Sequence, residues 1–137
     1  MSGNTRIATA IHIMTSLAFA EESMTSAELA ESINTNPVVV RRMLPQLARA
    51  GLIQCASGKQ GGSALARDAR QISLADIYNA VSDQEYLFPI PEKKANKGCP
   101  VSCQMRGLLK NVFDQAEEAV RNRLQSVTLS DLTKGIS

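Results

Sequence analysis

Between Thr25 and Leu65 the chain spells out a helix, a turn, a second helix and a tight hairpin. Thr25-Ser26-Ala27-Glu28 is a capping box, in which a hydroxyl and a carboxylate three residues on satisfy orphan backbone N–H groups. The short helix it opens carries Leu29, Ala30 and Ile33 on one face and stops in the polar run Asn34-Thr35-Asn36. Asn36-Pro37 then starts a second helix, with Asn as N-cap and Pro at the first position, where its missing N–H costs nothing. Val40, Met43, Leu44 and Leu47 fall at i, i+3, i+4 and i+7 and make one buried stripe. The opposite face carries Arg41, Arg42, Gln46 and Arg49. That is the form of a helix-turn-helix whose second helix enters DNA. Pro45 lies inside this helix and deprives the Arg41 carbonyl of its donor, at a cost on the order of 3 kcal/mol, so a bend or loosened turn is expected near Arg41 to Met43.

Ala50-Gly51 ends the second helix, with Gly51 where a left-handed residue is wanted. Leu52 to Ala56 reads as a strand, Ser57 to Gly62 as a glycine-rich turn and Ser63 to Ala66 as the return strand. A hairpin in that place is a wing, and its tip holds one cation, Lys59, among glycines that let backbone approach a phosphate. The residues expected to face DNA are Thr35, Asn36, Val38, Val39, Arg41, Arg42 and Gln46 from the turn and helix, with Lys59, Gln60 and Gly61 from the wing.

A net charge of +2 would not by itself suggest nucleic acid, but its distribution does. From Pro37 to Arg70 six cations (Arg41, Arg42, Arg49, Lys59, Arg67, Arg70) face one anion, Asp68, whereas from Gln71 onward eight cations meet eight anions. Positive charge collects where the DNA-facing elements are expected. With 44% apolar and 20% charged residues over 137 positions, the chain is globular. The apolar stretch Ile7 to Ala20 is too short to span a bilayer and lacks the pattern of a secretory leader, so a cytoplasmic protein without a membrane segment is expected. Ile7, Ala10, Ile11, Met14 and Leu17 mark instead the buried stripe of a first helix. One histidine, no paired carboxylates on a common face and no phosphate loop leave an enzyme without evident machinery.

Beyond the wing, Asp68 to Gln71 is a polar link and Ser73-Leu74-Ala75-Asp76 opens another helix with Ile77, Ala80 and Val81 inward. From Gln84 to Gly98, three lysines and Pro89 and Pro91 follow the apolar Tyr86, Leu87, Phe88 and Ile90, which reads as a mobile loop pinned to the body at its start. A long helix from about Pro100 to Gln125 carries an apolar face too broad for one packing partner, including Met105, Leu108, Val112, Phe113 and Val120. It is expected to pack on its own chain and on the same helix of a second subunit. Thr128 to Leu132 closes the sequence as a short capping helix. The fold class is mostly α with a small β wing: a winged helix-turn-helix at 1–82, a sensor loop at 83–99, and a dimerisation helix with its terminal turn at 100–137.

The run Thr-Ser-Ala-Glu-Leu-Ala-Glu (25–31), Asn-Pro-Val-Val-Val-Arg-Arg-Met-Leu (36–44), Leu-Ala-Arg-Ala-Gly-Leu-Ile (47–53), Gly-Lys-Gln-Gly-Gly (58–62), Leu-Ala-Arg (65–67) and Ile-Ser-Leu-Ala-Asp-Ile-Tyr-Asn-Ala-Val (72–81) resembles the Rrf family of bacterial winged-helix regulators, kin of IscR, NsrR and CymR. The resemblance extends to Thr-Leu-Ser-Asp-Leu (128–132). It implies a homodimer joined by the long helix and bound to palindromic promoter double-stranded DNA, usually as a repressor. It also implies sensing through cysteines ahead of that helix, in several members through a 2Fe–2S cluster held by three cysteines and a fourth ligand. For regulators of cysteine metabolism it implies a protein partner, a biosynthetic enzyme on which they dock.

Here the cluster pattern is incomplete. Only Cys99 and Cys103 lie in that region, the third cysteine, Cys55, is in the wing strand, and the one histidine, His12, is in the first helix. A cluster or a zinc ion needs four ligands, so no metal or cofactor is expected. A thiol switch fits better. Cys99 precedes Pro100 and so occupies the N-cap of the long helix, where unpaired N–H groups, the helix dipole and Lys93, Lys94 and Lys97 favour thiolate. Cys103, one turn on, is placed to resolve a sulfenic acid, although an i,i+4 disulfide would be strained. Cys55 reads as structural.

Overall fold

Most helices of this chain start at a hydroxyl or an amide that the sequence puts there. In the computed structural model, which describes residues 4–56, 61–82 and 86–136, α1 spans Asn4–Ala20, α2 Ser26–Ile33 and α3 Pro37–Arg49. Strands β1 (Ile53–Cys55) and β2 (Ser63–Leu65) follow, then a 3-10 turn (Ala69–Gln71), α4 (Leu74–Val81), α5 (Pro100–Gln125) and α6 (Leu129–Lys134). Complete capping boxes open α2 (Thr25 with Glu28), α4 (Ser73 with Asp76) and α6 (Thr128 with Asp131).

The core gathers one face from each element. Ala10, Ile13, Met14 and Leu17 of α1 meet Leu29 and Ala30 of α2 and the stripe Val40, Met43, Leu44 and Leu47 of α3. Leu52, Ile53, Ile72, Ile77 and Val81 complete it together with Leu129 of α6. Ile13, which the expected stripe omitted, is fully buried, whereas Ile7 and Ile11 are only partly so. Helix α1 touches α2, α4, α6 and β2, so its inward face is set by several neighbours rather than one.

Pro45 does not break α3. All thirteen residues from Pro37 to Arg49 are helical, so the helix continues through the turn at Arg41 to Met43. Buried side chains on both sides of the proline clamp the helix to the core, while Pro45 itself is exposed. The Arg41 carbonyl, which loses its donor, belongs to an exposed residue where water can replace it.

The hairpin pairs Ile53 with Leu65, Gln54 with Ala64 and Cys55 with Ser63. Backbone bonds Ala66 N–H to Leu52 O (3.0 Å) and Ala56 N–H to Gly62 O (2.9 Å) extend it by one rung at each end. Met24 adds a third rail through reciprocal bonds with Ser63 of 2.9 and 2.8 Å. A Cβ on Gly62 would lie 3.0 Å from the Met24 carbonyl, a tight contact that favours glycine at this close approach. The wing is thereby tied to the segment that leads into α2.

Two features beyond the wing differ from expectation. The apolar start of the loop is pinned to α5 rather than to the helical body: Leu87 N–H donates to Glu117 Oε1 at 2.9 Å and the Phe88 and Phe113 rings lie 5.4 Å apart. Farther along, the Arg106 guanidinium donates to the Pro91 carbonyl. Asp68 to Gln71, expected as a plain link, forms the 3-10 turn, with Asp68 accepting from Arg70 N–H at 2.8 Å. Helix α5 packs beside α4 yet contains no buried residue. The chain then returns, with Leu74 N–H on Val127 O (2.9 Å) and Leu129 N–H on Ile72 O (3.0 Å), and delivers Leu129 to the core.

The Ser73 cap carries a testable load. Its Oγ accepts from Asp76 N–H at 3.1 Å and its own N–H donates to Asp76 Oδ2 at 3.0 Å. Ser73→Ala is expected to cost about 1 kcal/mol, seen as a lower urea midpoint at unchanged slope. An unchanged midpoint would show that the box contributes nothing.

Candidate nucleic-acid interface

The turn between α2 and α3 is built from three polar residues with separate tasks. Asn34 ends α2 in the left-handed region at φ 62°, and Thr35 N–H returns to Ala30 O at 2.9 Å. The Asn36 side chain accepts from Val38 N–H at 2.9 Å and so starts α3. This fixes the entry of α3 and leaves Asn36, Val38, Arg41 and Arg42 exposed, with Thr35 and Val39 half-buried. At the other end, Gly51 takes φ 76° and the Arg67 guanidinium donates to the Gly51 and Ala50 carbonyls at 3.3 and 3.4 Å. A cation just past the end of α3 also suits the negative end of its dipole.

The cations of this region therefore divide. Arg67 caps α3, and Arg70 pairs with Asp68 at 3.0 Å, where its guanidinium holds the Asp68 carboxyl down to about 2. Arg41, Arg42 and Arg49 are exposed on α3. Gln46, expected to face DNA, is half-buried, and its Oε1 accepts from Arg6 Nη2 of α1 at 2.7 Å. Arg6 is absent from the sequence-derived set, since nothing local to it shows that its side chain reaches α3. Together they frame a cleft of about 460 Å³ between Arg6 and Thr9 of α1 and Val39, Arg42, Gln46 and Arg49 of α3. Of the expected wing contacts, Gly61 is half-exposed beside β2, whereas Lys59 and Gln60 lie outside the described residues.

The cysteines fall in two places, Cys99 and Cys103 at the start of α5 and Cys55 on the wing strand β1. Cys99 is the N-cap residue of α5 and half-buried, but its sulfur makes no capping hydrogen bond, contrary to expectation. A thiol is a poor acceptor, and the preceding turn is closed by Asn96 instead. Asn96 N–H donates to Ser102 Oγ (2.8 Å), its Oδ1 accepts from Gly98 N–H (3.0 Å), and its carbonyl accepts from Cys99 N–H (3.0 Å). The exposed Cys103 thiol also reaches that carbonyl, at 3.5 Å. Cys55, expected to be structural, is exposed on β1 with Sγ 3.2 Å from Ser63 Oγ. His12 lies on the exposed side of α1, 3.2 Å from Ser32 Oγ.

A helix-turn-helix, a hairpin wing and a long C-terminal helix in this order have close counterparts among known proteins. The family model for Rrf2, described as iron-dependent transcriptional regulators, matches residues 3–135. The chain belongs to the Rrf2 family. YwnA of Bacillus subtilis, named an HTH-type transcriptional regulator, is 41% identical over 129 residues, covering 94% of this chain and 95% of its own. The Rrf2 fold also superposes on IscR of T. potens (TM-score 0.73, 23% identity, 100% of this chain and 89% of that one). CymR, the global cysteine regulator of B. subtilis, gives a TM-score of 0.71 at 22% identity, over 100% of this chain and 99% of that one. This Rrf2 chain is thus a winged-helix transcriptional regulator.

Iron is implied by the family description, and the donor set can be tested against it. Among the described residues no three of His, Cys, Asp or Glu converge as metal ligands. Cys99 and Cys103 supply two thiols at one helix end, Cys55 is on the wing, and His12 is engaged on α1. The residues described do not form an iron cradle. No helix among them is long and apolar enough to cross a membrane.

Proposed function

We propose that this Rrf2 regulator is a homodimeric, sequence-specific DNA-binding repressor whose grip on a palindromic operator is controlled by oxidation of Cys99, with Cys103 as the resolving thiol. The observation that carries the DNA reading is the outer face of α3, where Arg41, Arg42 and Arg49 stand exposed above a buried opposite stripe. Asn36, Thr35 and Val38 lie at the helix start, the part of such a helix that meets base edges, and the wing hairpin flanks it. Dimerisation through α5 would place two such helices for half-sites one DNA turn or a multiple apart. The likeness to a global cysteine regulator supports a thiol signal, as do the free thiols of Cys99 and Cys103 at the start of α5. In the chemistry proposed, the Cys99 thiolate attacks a peroxide oxygen, the O–O bond breaks and sulfenic acid and hydroxide result. Cys103 then displaces water from that sulfur to form a disulfide.

The test is a gel-shift titration on a duplex selected from a random pool by the wild type. Arg41→Ala is expected to relax preference at one base pair, costing about 1–3 kcal/mol on the selected site and less on others. The double change of Arg41 and Arg42 to alanine should weaken binding further with little loss of stability, because both side chains are exposed. Unchanged affinity of that double variant would remove α3 from the DNA interface.

A further inference from the structure

We infer that the cleft between α1 and α3 is a backbone-phosphate site, in which Arg6, Arg42 and Arg49 grip a phosphodiester and Gln46 braces Arg6 instead of reading a base. The inference rests on the DNA reading above and adds to it a helix, α1, that lies outside the helix-turn-helix. Val39, Arg42, Gln46 and Arg49 fall at i, i+3, i+7 and i+10 and so share one flank of α3. Arg6 faces this flank from α1, and the 2.7 Å bond from its Nη2 to Gln46 Oε1 aims it across the gap. Three of the residues lining the cleft are arginines and none is acidic. Its volume of about 460 Å³ leaves ample room for a phosphate group. Planar guanidinium groups match tetrahedral phosphate oxygens by paired hydrogen bonds, which a lysine ammonium does not.

Thr9 lines the cleft too, but its hydroxyl proton goes to the Thr5 carbonyl at 2.8 Å, so anion recognition falls to the arginines. Arg41 is not among the lining residues. The two adjacent arginines of α3 thereby acquire different tasks, Arg42 holding backbone and Arg41 remaining the candidate reader. Gln46 holds the register of α1 on α3 and is a positioning residue.

The experiment measures the salt dependence of duplex binding for the wild type, Arg6→Gln, Arg49→Gln and Gln46→Ala, with circular dichroism to establish folding. Each lost phosphate contact should flatten the slope of log K against log salt by about 0.9, hence by about 1.8 in a dimer. Between 50 and 200 mM salt the wild type should then lose about tenfold more affinity than Arg49→Gln, equally on selected and random duplexes. Arg49 is exposed, so its variant keeps the test open if the half-buried Arg6 variant fails to fold. Gln46→Ala should weaken all sequences alike and select the same site as the wild type from the random pool. A shifted selection with an unchanged slope would return Gln46 to base reading and overturn the inference.

Wild type that binds, with slopes unmoved in both arginine variants, overturns the cleft but leaves α3 as DNA reader. Wild type that holds no duplex at 50 mM salt overturns both. Thermal protection by inorganic phosphate in the wild type but not in Arg49→Gln, with equal salt slopes, would assign the cleft to a free anion and overturn the backbone assignment.

Discussion

Val112→Asp is expected to convert the protein from dimer to monomer and to lower operator affinity by a factor of about a hundred or more, because two half-sites bound by one particle reinforce each other. The expectation comes from what α5 lacks within one chain. Over 26 residues the helix has no buried side chain, and Val101, Leu108 and Val112 are 63, 60 and 58% exposed. With Met105 they fall at i, i+4, i+7 and i+11, a continuous stripe along one face. The flank toward α4 and the loop carries other residues, among them Phe113 against Phe88 and Glu117 under Leu87. A stripe of this length left in water is the signature of an interface. A second copy of α5, crossed by a two-fold axis, would cover it with the same residues. An aspartate in that seam is an unpaired buried charge, costing several kcal/mol in each subunit and so twice in each dimer. Sedimentation at micromolar concentration should give twice 14.8 kDa for the wild type and 14.8 kDa for the variant. A monomeric wild type would defeat the proposal.

Much of this fold was legible because its signals are local. The boxes at Thr25, Ser73 and Thr128 and the Asn36-Pro37 start each set a helix boundary within four residues, and all four helices begin there. Gly51 was legible for the same reason, since a left-handed residue after α3 leaves few other choices. What escaped are contacts made across distance in sequence. Arg6 reaches Gln46 over 40 positions, and Leu87 reaches Glu117 over 30. Neither pairing leaves a pattern in its own neighbourhood. Arg67 was counted with the DNA-facing cations for a related reason: its charge is visible in sequence, whereas the Ala50 and Gly51 carbonyls it meets come within its reach only once β2 has paired with β1. Pro45 does not end α3, because four buried side chains hold the helix to the core on both sides of it, which its local cost alone does not show. At Cys99 the position was right and the bonding was not. Proline after the N-cap is a sequence signal, but whether a sulfur accepts from the helix depends on the turn, and Asn96 closes that turn.

Cys99→Ser is expected to leave DNA affinity within about twofold of the wild type and to abolish its loss on treatment with peroxide, which in the wild type should reach about tenfold or more, near 1.4 kcal/mol. The turn at residues 96–103 gives the reason a small chemical change there would be felt. The Asn96 carbonyl accepts from Cys99 N–H and from the Cys103 thiol, while Asn96 N–H holds Ser102. One residue thus ties the incoming loop to the first turn of α5. If Cys103 is drawn into a disulfide with Cys99, its hydrogen to the Asn96 carbonyl is lost and the i,i+4 bridge strains the first helical turn. In the proposed dimer α5 sets the separation of the two recognition helices, so a changed helix start alters half-site spacing. Cys103→Ser separates the steps. It should allow oxidation of Cys99 to the sulfenic acid, trapped by a dimedone probe, and should slow or remove the disulfide. Cys55, exposed on the wing strand, serves as internal reference, because mass spectrometry of alkylated peptides reports all three thiols in one sample. Cys99 should label faster than Cys55. Equal labelling rates, or a Cys99→Ser protein that still releases DNA with peroxide, would place the signal elsewhere than at the start of α5.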